Sequence, residues 1–344
     1  MMTEDLFSIL HNQNLDEVLK TYPIVMDFLA NYRLEDIPKD KPFIEALNQA
    51  DDEILEEFGV DQYSMLLSLH SFLKTFTSEE TALASVSSLT ILGGFNKSRE
   101  AESVSLKIQS GEIISIVGPT GSGKSRLLND IECLAQEDTP TGRKILVNDR
   151  EIDEDSRFEI EGKLVAQLSQ NMNFVMDLTV QEFLEMHAKS RLTPKAKIVI
   201  EKCFTCANDL AGEKFSKDTK VTQLSGGQSR ALMIADTAFM SNSPIVLIDE
   251  IENAGIDRRQ AIELLARNDK IILVSTHDPL LALSADKRVV IKNGGMYKII
   301  ETSEEEKQSL AAIEKLDNIQ HMLRQKLRFG HCITEDIFEN LQIR

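Results

Sequence analysis

The residues best suited to chemistry form one glycine-rich run, Gly118-Pro119-Thr120-Gly121-Ser122-Gly123-Lys124-Ser125. Glycines at this spacing let backbone N–H groups approach phosphate oxygens, because no Cβ stands in the way. Lys124 adds a positive charge for β- and γ-phosphate oxygens, and the Ser125 hydroxyl is a ligand suited to Mg²⁺. The run follows an apolar stretch and precedes a predicted helix, as a phosphate-binding loop requires. We call residues 118–125 the phosphate loop; kinases, GTPases and many ATPases share such a loop.

Two carboxylates end a second apolar stretch. Residues 244–248 have the composition of a buried strand, and Asp249 and Glu250 follow it directly. An acidic pair in that position is costly unless a cation or a reaction needs it. We therefore expect these two carboxylates to serve a bound cation and the chemistry beside it.

A third motif, Leu224-Ser225-Gly226-Gly227-Gln228, lies between the phosphate loop and the acidic pair. A serine and two glycines at a helix start can offer a hydroxyl and backbone N–H groups to a γ-phosphate. In order and spacing these motifs resemble those of the ATP-binding-cassette family, over about residues 84–300. The resemblance implies MgATP as ligand and a head-to-tail homodimer that sandwiches two ATPs. In such a dimer this signature motif completes the site of the opposite protomer.

The same resemblance implies roles for single residues. Asp249 is expected to hold Mg²⁺ through water, and Glu250 to polarise the attacking water, so the chain should hydrolyse ATP. His277, at the end of a further apolar stretch, matches the switch histidine that contacts the γ-phosphate. The glutamine that senses Mg²⁺ and the water is Gln167 or Gln170. Its distance from the following Leu-Thr-Val stretch favours Gln170, as a catalytic residue and metal ligand.

Three further positions bear on nucleotide binding. Phe95 lies upstream of the phosphate loop, where the family places an aromatic residue that stacks on adenine; packing in a core is the alternative. Arg126 stands beside the α-phosphate position, where the family commonly has a threonine hydroxyl. Asp257 is expected to end the loop that crosses the dimer interface. That loop is one residue longer than usual and lacks its proline, and Asp236 replaces a common basic residue. With these departures the chain looks less like a standard transporter subunit.

The chain divides into three segments with different patterns, and these motifs all lie in the second segment. Residues 1–76 are strongly acidic with apolar residues at helical spacing, which predicts a small all-helical domain of unknown role. Residues 84–300 alternate between strand and helix patterns, which predicts the α/β class. The resemblance specifies a P-loop NTPase core with an antiparallel β subdomain and a helical subdomain. Residues 303–344 form a predicted amphipathic C-terminal helical tail.

Charge and cysteine usage limit the partners and the compartment. The formal net charge of −18 over 344 residues argues against broad binding to nucleic acid. No apolar stretch approaches the roughly 20 residues that span a bilayer, and the acidic start lacks signal-peptide features. We expect a cytoplasmic protein that associates with a membrane only through a partner. Four cysteines indicate a reducing compartment. Cys203 and Cys206 could bind metal or form a redox pair, but no second pair has zinc-ligand spacing, which favours packing.

Three functions fit these patterns. The sequence favours an ATPase that is soluble and that remodels or activates a partner protein, given the extra acidic segment and the departures from the family pattern. The alternative is the nucleotide-binding subunit of a membrane transporter, which would have a permease as partner. A DNA-maintenance ATPase is disfavoured by the charge, and by the short stretch between phosphate loop and signature motif, which leaves no room for long coiled coils.

Overall fold

The computed structural model describes most of the chain, namely residues 6–49, 61–83, 86–152, 157, 164–169, 174–191, 193, 195–251, 256–266 and 269–333. The chain divides into two compact units. The first comprises Met1–Ser85 with Met186–Ala196, and the second comprises Val86–Glu185 with Lys197–Arg344. The division into segments 1–76, 84–300 and 303–344, and the role of the first segment, stay predictions.

Helices build the N-terminal part of the first unit, and each contributes apolar residues to a common core. They are α1 (Leu6–Asn12), α2 (Leu15–Thr21), α3 (Val25–Asn31), α4 (Phe43–Leu47) and α5 (Gln62–Leu83). The buried residues recur three or four positions apart, so one face of each helix turns inward. The core of this unit includes Leu10, Leu15, Leu29, Phe43, Leu66 and Leu69.

The second unit contains a three-stranded antiparallel sheet in the order β2-β1-β4. Its strands are β1 (Ser88–Leu92), β2 (Leu106–Gln109) and β4 (Lys144–Val147). Leu89 of β1 pairs with Ile108 on one side and with Val147 on the other. This is the antiparallel β subdomain that the sequence analysis predicts.

A six-stranded sheet forms the centre of the second unit, in the order β5-β6-β7-β3-β8-β9. Its strands are β3 (Ile113–Val117), β5 (Val165–Leu168), β6 (Ile245–Asp249), β7 (Ile271–Ser275), β8 (Lys287–Lys292) and β9 (Gly295–Glu301). The first five strands of that order are parallel, and β9 is antiparallel to β8. Strands β6 and β7 are buried almost throughout, as expected of parallel strands covered on both faces.

The helices of the second unit connect these strands or follow them. They are α6 (Lys124–Glu132), α7 (Val180–Ser190), α8 (Ala196–Leu210), α9 (Gly226–Met240), α10 (Arg258–Leu265), α11 (Pro279–Ser284) and α12 (Glu304–Arg328). Helix α7 extends beyond the boundary of this unit, since Met186–Ala196 belongs to the first. No helix within the described ranges is both long and apolar enough to cross a membrane. The α/β class predicted from the sequence is confirmed.

Candidate active site

Strand order and register bring the predicted motifs to one edge of the six-stranded sheet. The phosphate loop leaves β3, the acidic pair ends β6, and His277 follows β7. Ser275 of β7 pairs with Ile116 of β3 and with Asp249 of β6, so the three strands end at the same level. Ligands of open parallel sheets bind at the carboxyl ends of the strands. The sequence motifs therefore converge where such a site is expected.

The phosphate loop depends on glycine at two of its positions. Gly123 has a φ of 107° in the left-handed region and forms the N-cap of α6. A Cβ on Gly118 would lie 2.6 Å from the carbonyl oxygen of Ile291, so the loop passes too close to β8 for a side chain. The side chain of Lys124 is buried, and its Nζ donates to the carbonyl of Gly118 at 3.1 Å. The amine thus crosses the loop and joins its end to its start.

Ser125 and Asp249 meet directly. The Ser125 Oγ donates to Asp249 Oδ2 at 2.9 Å, which joins the start of α6 to the end of β6. The other carboxylate oxygen, Asp249 Oδ1, is buried and accepts no hydrogen bond from the described residues. A buried carboxylate oxygen without a donor is costly unless a cation binds there. An oxygen-only pair of this kind suits Mg²⁺, which commonly takes one or two protein ligands together with phosphate oxygens and water.

Within the described residues, no three His, Cys, Asp or Glu side chains come together in a way that could hold a metal. A cation at Asp249 therefore depends on further oxygen ligands, such as those of a nucleotide and water. Cys203 is buried and Cys206 is half-buried on α8, and neither forms a disulfide.

Glu250 and His277 follow neighbouring strands. The backbone N–H of Glu250 donates to the carbonyl of Ser275 at 3.0 Å, and that of Thr276 donates to Ile116 at 3.1 Å. Glu250 has a φ of 49°, a left-handed conformation that non-glycine residues rarely adopt and that is concentrated at functional sites. Its side chain is half-buried, and that of His277 is exposed. The backbone thus fixes both residues beside the phosphate loop.

The signature motif begins a separate helix, α9. Ser225 is its N-cap and forms a capping box, in which Gln228 N donates to Ser225 Oγ and Ser225 N donates to Gln228 Oε1. Gln228 Nε2 also donates to the carbonyl of Glu213 at 3.3 Å. Gly226 lies exposed in the first turn, where backbone N–H groups have no helical partner. The helix start is therefore open to an anion. The contact of Ser225, Gly226, Gly227 and Gln228 with a second protomer stays a prediction.

Phe95 lies in the loop between β1 and β2 and is 45% exposed. Its N–H donates to the carbonyl of Thr141 at 2.7 Å, and its ring lies against Gly142, where an added Cβ would come within 3.2 Å of the ring. A half-exposed ring held by its backbone suits stacking on a base better than packing in a core. Stacking on adenine stays a prediction.

Arg143, which no sequence motif indicates, holds this loop to the rest of the site. Its guanidinium is fully buried and pairs with Glu102 Oε1 at 2.6 Å and with Asp130 Oδ2 at 2.8 Å. It also donates to the carbonyl of Gly294 at 2.8 Å, and Gly294 N donates to Ser122 of the phosphate loop at 2.7 Å. Arg143 thus links the Phe95 loop to the phosphate loop. A charged residue in a polar stretch gives no sequence signal of such burial.

Of the other positions named from the sequence, three take less central places. Arg126 is exposed in the first turn of α6. Asp257 is the N-cap of α10, and its Oδ1 accepts from Gln260 N at 3.0 Å, so its carboxylate stabilises its own helix start. Gln170 lies outside the described residues. Gln167 lies within strand β5, and its amide faces the carboxylate of Glu132, which fits an ordinary strand position.

Comparisons with known proteins point to one family. The family model described as ABC transporter matches residues 101–253. The chain is 54% identical over 254 residues to the uncharacterized ABC transporter ATP-binding protein MJ0121 of Methanocaldococcus jannaschii, covering 73% of this chain and 97% of that protein. It is 31% identical over 204 residues to the uncharacterized ABC transporter ATP-binding protein MJ0796 of the same organism, covering 56% of this chain and 85% of that one.

A solved structure and a longer relative extend this finding. The dimeric post-hydrolysis structure of the ATP-binding cassette MJ0796, bound to ADP and Pi, matches with a TM-score of 0.50 and 26% identity. The match covers 62% of this chain and 99% of that chain. The macrolide export ATP-binding/permease protein MacB of Aggregatibacter actinomycetemcomitans is 31% identical over 215 residues, which are 58% of this chain and 32% of that protein.

Proposed function

Because the chain belongs to the ATP-binding-cassette family, we propose that it binds MgATP at the phosphate loop and hydrolyses it in a dimer of itself. The observation that carries this proposal is the contact between the Ser125 hydroxyl and Asp249 at 2.9 Å. The buried Asp249 Oδ1 beside it accepts no hydrogen bond from the described residues. These two observations support a cation site at the sheet edge, with Ser125 and Asp249 among its ligands.

Each residue of the site has a distinct part in the proposed reaction. The backbone N–H groups of the phosphate loop and Lys124 hold the β- and γ-phosphates. Ser125 and Asp249 are the residues that would hold Mg²⁺, which neutralises phosphate charge when bound. Glu250 accepts the proton of a water that attacks the γ-phosphorus, and the bond to the β–γ bridging oxygen breaks. His277 contacts the γ-phosphate and orients it.

The dimer is supported by the position of the signature motif and by the relative MJ0796. The start of α9 presents exposed backbone N–H groups, which suit a γ-phosphate held by a second copy of the chain. The structure of MJ0796 with ADP and Pi is described as dimeric. We infer that Ser225 and the two glycines after it complete the partner copy's site, while Gln228 fixes Ser225 through the capping box.

The cellular role follows the relatives more closely than the sequence pattern. The named proteins MJ0121, MJ0796 and MacB are all described as transporter ATP-binding proteins or exporters. We therefore propose that the chain is the nucleotide-binding subunit of a membrane transporter, with a separate permease as partner. The soluble remodelling ATPase favoured by the sequence gains no support from these named relatives.

Replacement of the proposed general base tests the ATPase. Glu250→Gln should keep ATP binding, lower the hydrolysis rate by about 100-fold or more, and leave a dimer with ATP in size-exclusion chromatography. Lys124→Ala is the companion variant and should lose ATP binding instead. A Glu250→Gln protein that hydrolyses ATP at the wild-type rate would show that another group is the base.

Affinity purification tests the membrane role. The Glu250→Gln protein, loaded with MgATP and incubated with detergent-solubilised membranes of its source, should retain a protein with several membrane-spanning helices. The same purification with Lys124→Ala is the control for contact that does not depend on nucleotide. If the protein recovered with Glu250→Gln but not with Lys124→Ala had no membrane-spanning helices, the result would favour the soluble ATPase.

A further inference from the structure

The first residue of α10 contacts two distant elements. Arg258 directly follows Asp257, and its Nη2 donates to both oxygens of Asp317 on α12, at 2.9 and 2.8 Å. Its Nη1 donates to Asp278 Oδ2. The side chains of Arg258 and Asp278 are 19% and 9% exposed and that of Asp317 is 33% exposed, so the Asp278 contact is the better shielded from water. A planar guanidinium fixes the relative positions of two carboxylates that it bridges, which a flexible ammonium does less well.

Asp278 is the neighbour of His277 in the chain. Its Oδ1 accepts from Leu280 N at 2.7 Å and caps α11, while its own N–H donates to Thr276 Oγ1 at 3.0 Å. The second carboxylate oxygen is the one that Arg258 holds. Both carboxylate oxygens of Asp278 are therefore held, one by the N–H of Leu280 and the other by Arg258. These two contacts fix the segment 276–278. His277 lies within this fixed segment.

Helix α12 is tied to the same unit at its N-terminal end. Arg288 of β8 donates to Glu306 Oε1 at 2.5 Å. Thr302 Oγ1 donates to the carbonyl of Ala285, just after α11, at 2.5 Å. Asp317 therefore reaches Arg258 from a helix anchored near segment 276–278.

We propose that Arg258 is a positioning residue that couples helix α12 to His277. Asp317 holds the guanidinium in the place from which it fixes Asp278, and Asp278 fixes the segment that presents His277. The tail helix thereby sets how well His277 meets the γ-phosphate, and so sets the rate of hydrolysis. This inference rests on the proposed ATPase function.

Two variants on α12 separate coupling from simple packing. Asp317→Asn removes the charge that Arg258 contacts. Glu314→Gln is the matched control, because Glu314 lies one turn earlier on the same helix and pairs with Arg259, whose other partner is Glu263 on its own helix. Both variants weaken an ion pair between α10 and α12. Of these two pairs, the one between Arg258 and Asp317 is connected to Asp278 through Arg258, and the one between Arg259 and Glu314 is not.

The measurement is steady-state ATP hydrolysis by the full chain, with kcat and KM determined separately. Asp317→Asn should lower kcat by about three- to tenfold with KM for ATP within about twofold, while Glu314→Gln keeps both near wild type. Arg258→Gln should lower kcat at least as far, and Asp317→Glu should restore most of it. Thermal unfolding midpoints of the two α12 variants should agree, which excludes loss of folded protein as the cause.

Equal kcat values for Asp317→Asn and Glu314→Gln would overturn the coupling. So would a loss in Asp317→Asn that appears only as a raised KM, because His277 then would not be the group affected. A wild-type chain that hydrolyses no ATP is a different result. It overturns the proposed function itself, and the inference that rests on it.

Discussion

Arg143 and Asp130 form an ion pair at 2.8 Å in which both side chains are fully buried, and Glu102 binds the same guanidinium from the other side. Two carboxylates share one arginine, so the cluster is stable only while the arginine is present. Its further bond to Gly294 places this cluster between the Phe95 loop and the phosphate loop. The cluster is therefore both a structural element and a support of the site.

Arg143→Met should destabilise the protein strongly. It leaves two buried carboxylates without their counter-ion, and breaking a buried pair in this way costs about 3–5 kcal/mol. Urea denaturation of the full chain measures the change. Lys107→Gln is the control, since Lys107 and Asp149 form an exposed pair whose loss should leave the denaturation midpoint close to wild type. Similar midpoints for the two variants would contradict the prediction.

Asp249→Asn should weaken the binding of Mg²⁺ at the proposed ATP site. The amide replaces a carboxylate whose Oδ1 is buried beside Ser125, so the charge that attracts the cation is lost. We expect the Mg²⁺ concentration for half-maximal ATP hydrolysis to rise at least about tenfold, while ATP binding in EDTA stays unchanged. Titration of both proteins with MgCl₂ makes the comparison. An unchanged Mg²⁺ midpoint would place the cation elsewhere.

Phe95→Ala should weaken binding of ATP but not of inorganic tripolyphosphate. Loss of a base–aromatic stack costs about 1–3 kcal/mol, which is about a 5- to 150-fold rise in the dissociation constant of ATP. Phe95→Tyr keeps the ring and should bind ATP as wild type does. Calorimetric titration with the two ligands distinguishes stacking from packing. If Phe95 acts in packing alone, the alanine variant unfolds at lower temperature and both affinities change together.

Acid should loosen the anchor of α12 through Glu306. The hydrogen bond from Arg288 lowers the pKa of Glu306, and the Ser303 N–H adds to this. Since the folded-state pKa lies below its usual value, the ionised carboxylate contributes stability at neutral pH. That contribution falls away as pH drops below about 4.5 and through the folded-state pKa. Glu306→Gln should therefore make the free energy of unfolding less dependent on pH as the pH falls below about 4.5. Identical slopes in urea titrations at several pH values would refute this.

The sequence predicts the parts of the site that are encoded by short motifs. The phosphate loop and the acidic pair each sit at the end of an apolar stretch, and parallel pairing of such stretches places their ends together. This is why the sequence alone is enough to expect Ser125 and Asp249, 124 positions apart, in one site.

Contacts that depend on tertiary packing cannot be predicted in the same way. Arg143 reaches Gly294 across 151 positions, and Arg258 reaches Asp317 across 59, with no periodicity or motif to mark either pair. The carboxylate of Asp257 caps α10, a contact that no sequence motif indicates; the prediction that Asp257 ends the loop crossing the dimer interface stays a prediction. Side-chain partners of single charged residues follow from how helices and turns pack, which local patterns do not specify.

The bond from Lys124 Nζ to the carbonyl of Gly118 has a consequence for turnover. The ammonium holds a backbone oxygen across the loop. Under the proposed function, nucleotide binding therefore exchanges one acceptor of Lys124 for another, and little entropy is lost at that step. We expect that the phosphate loop does not need to refold between catalytic cycles.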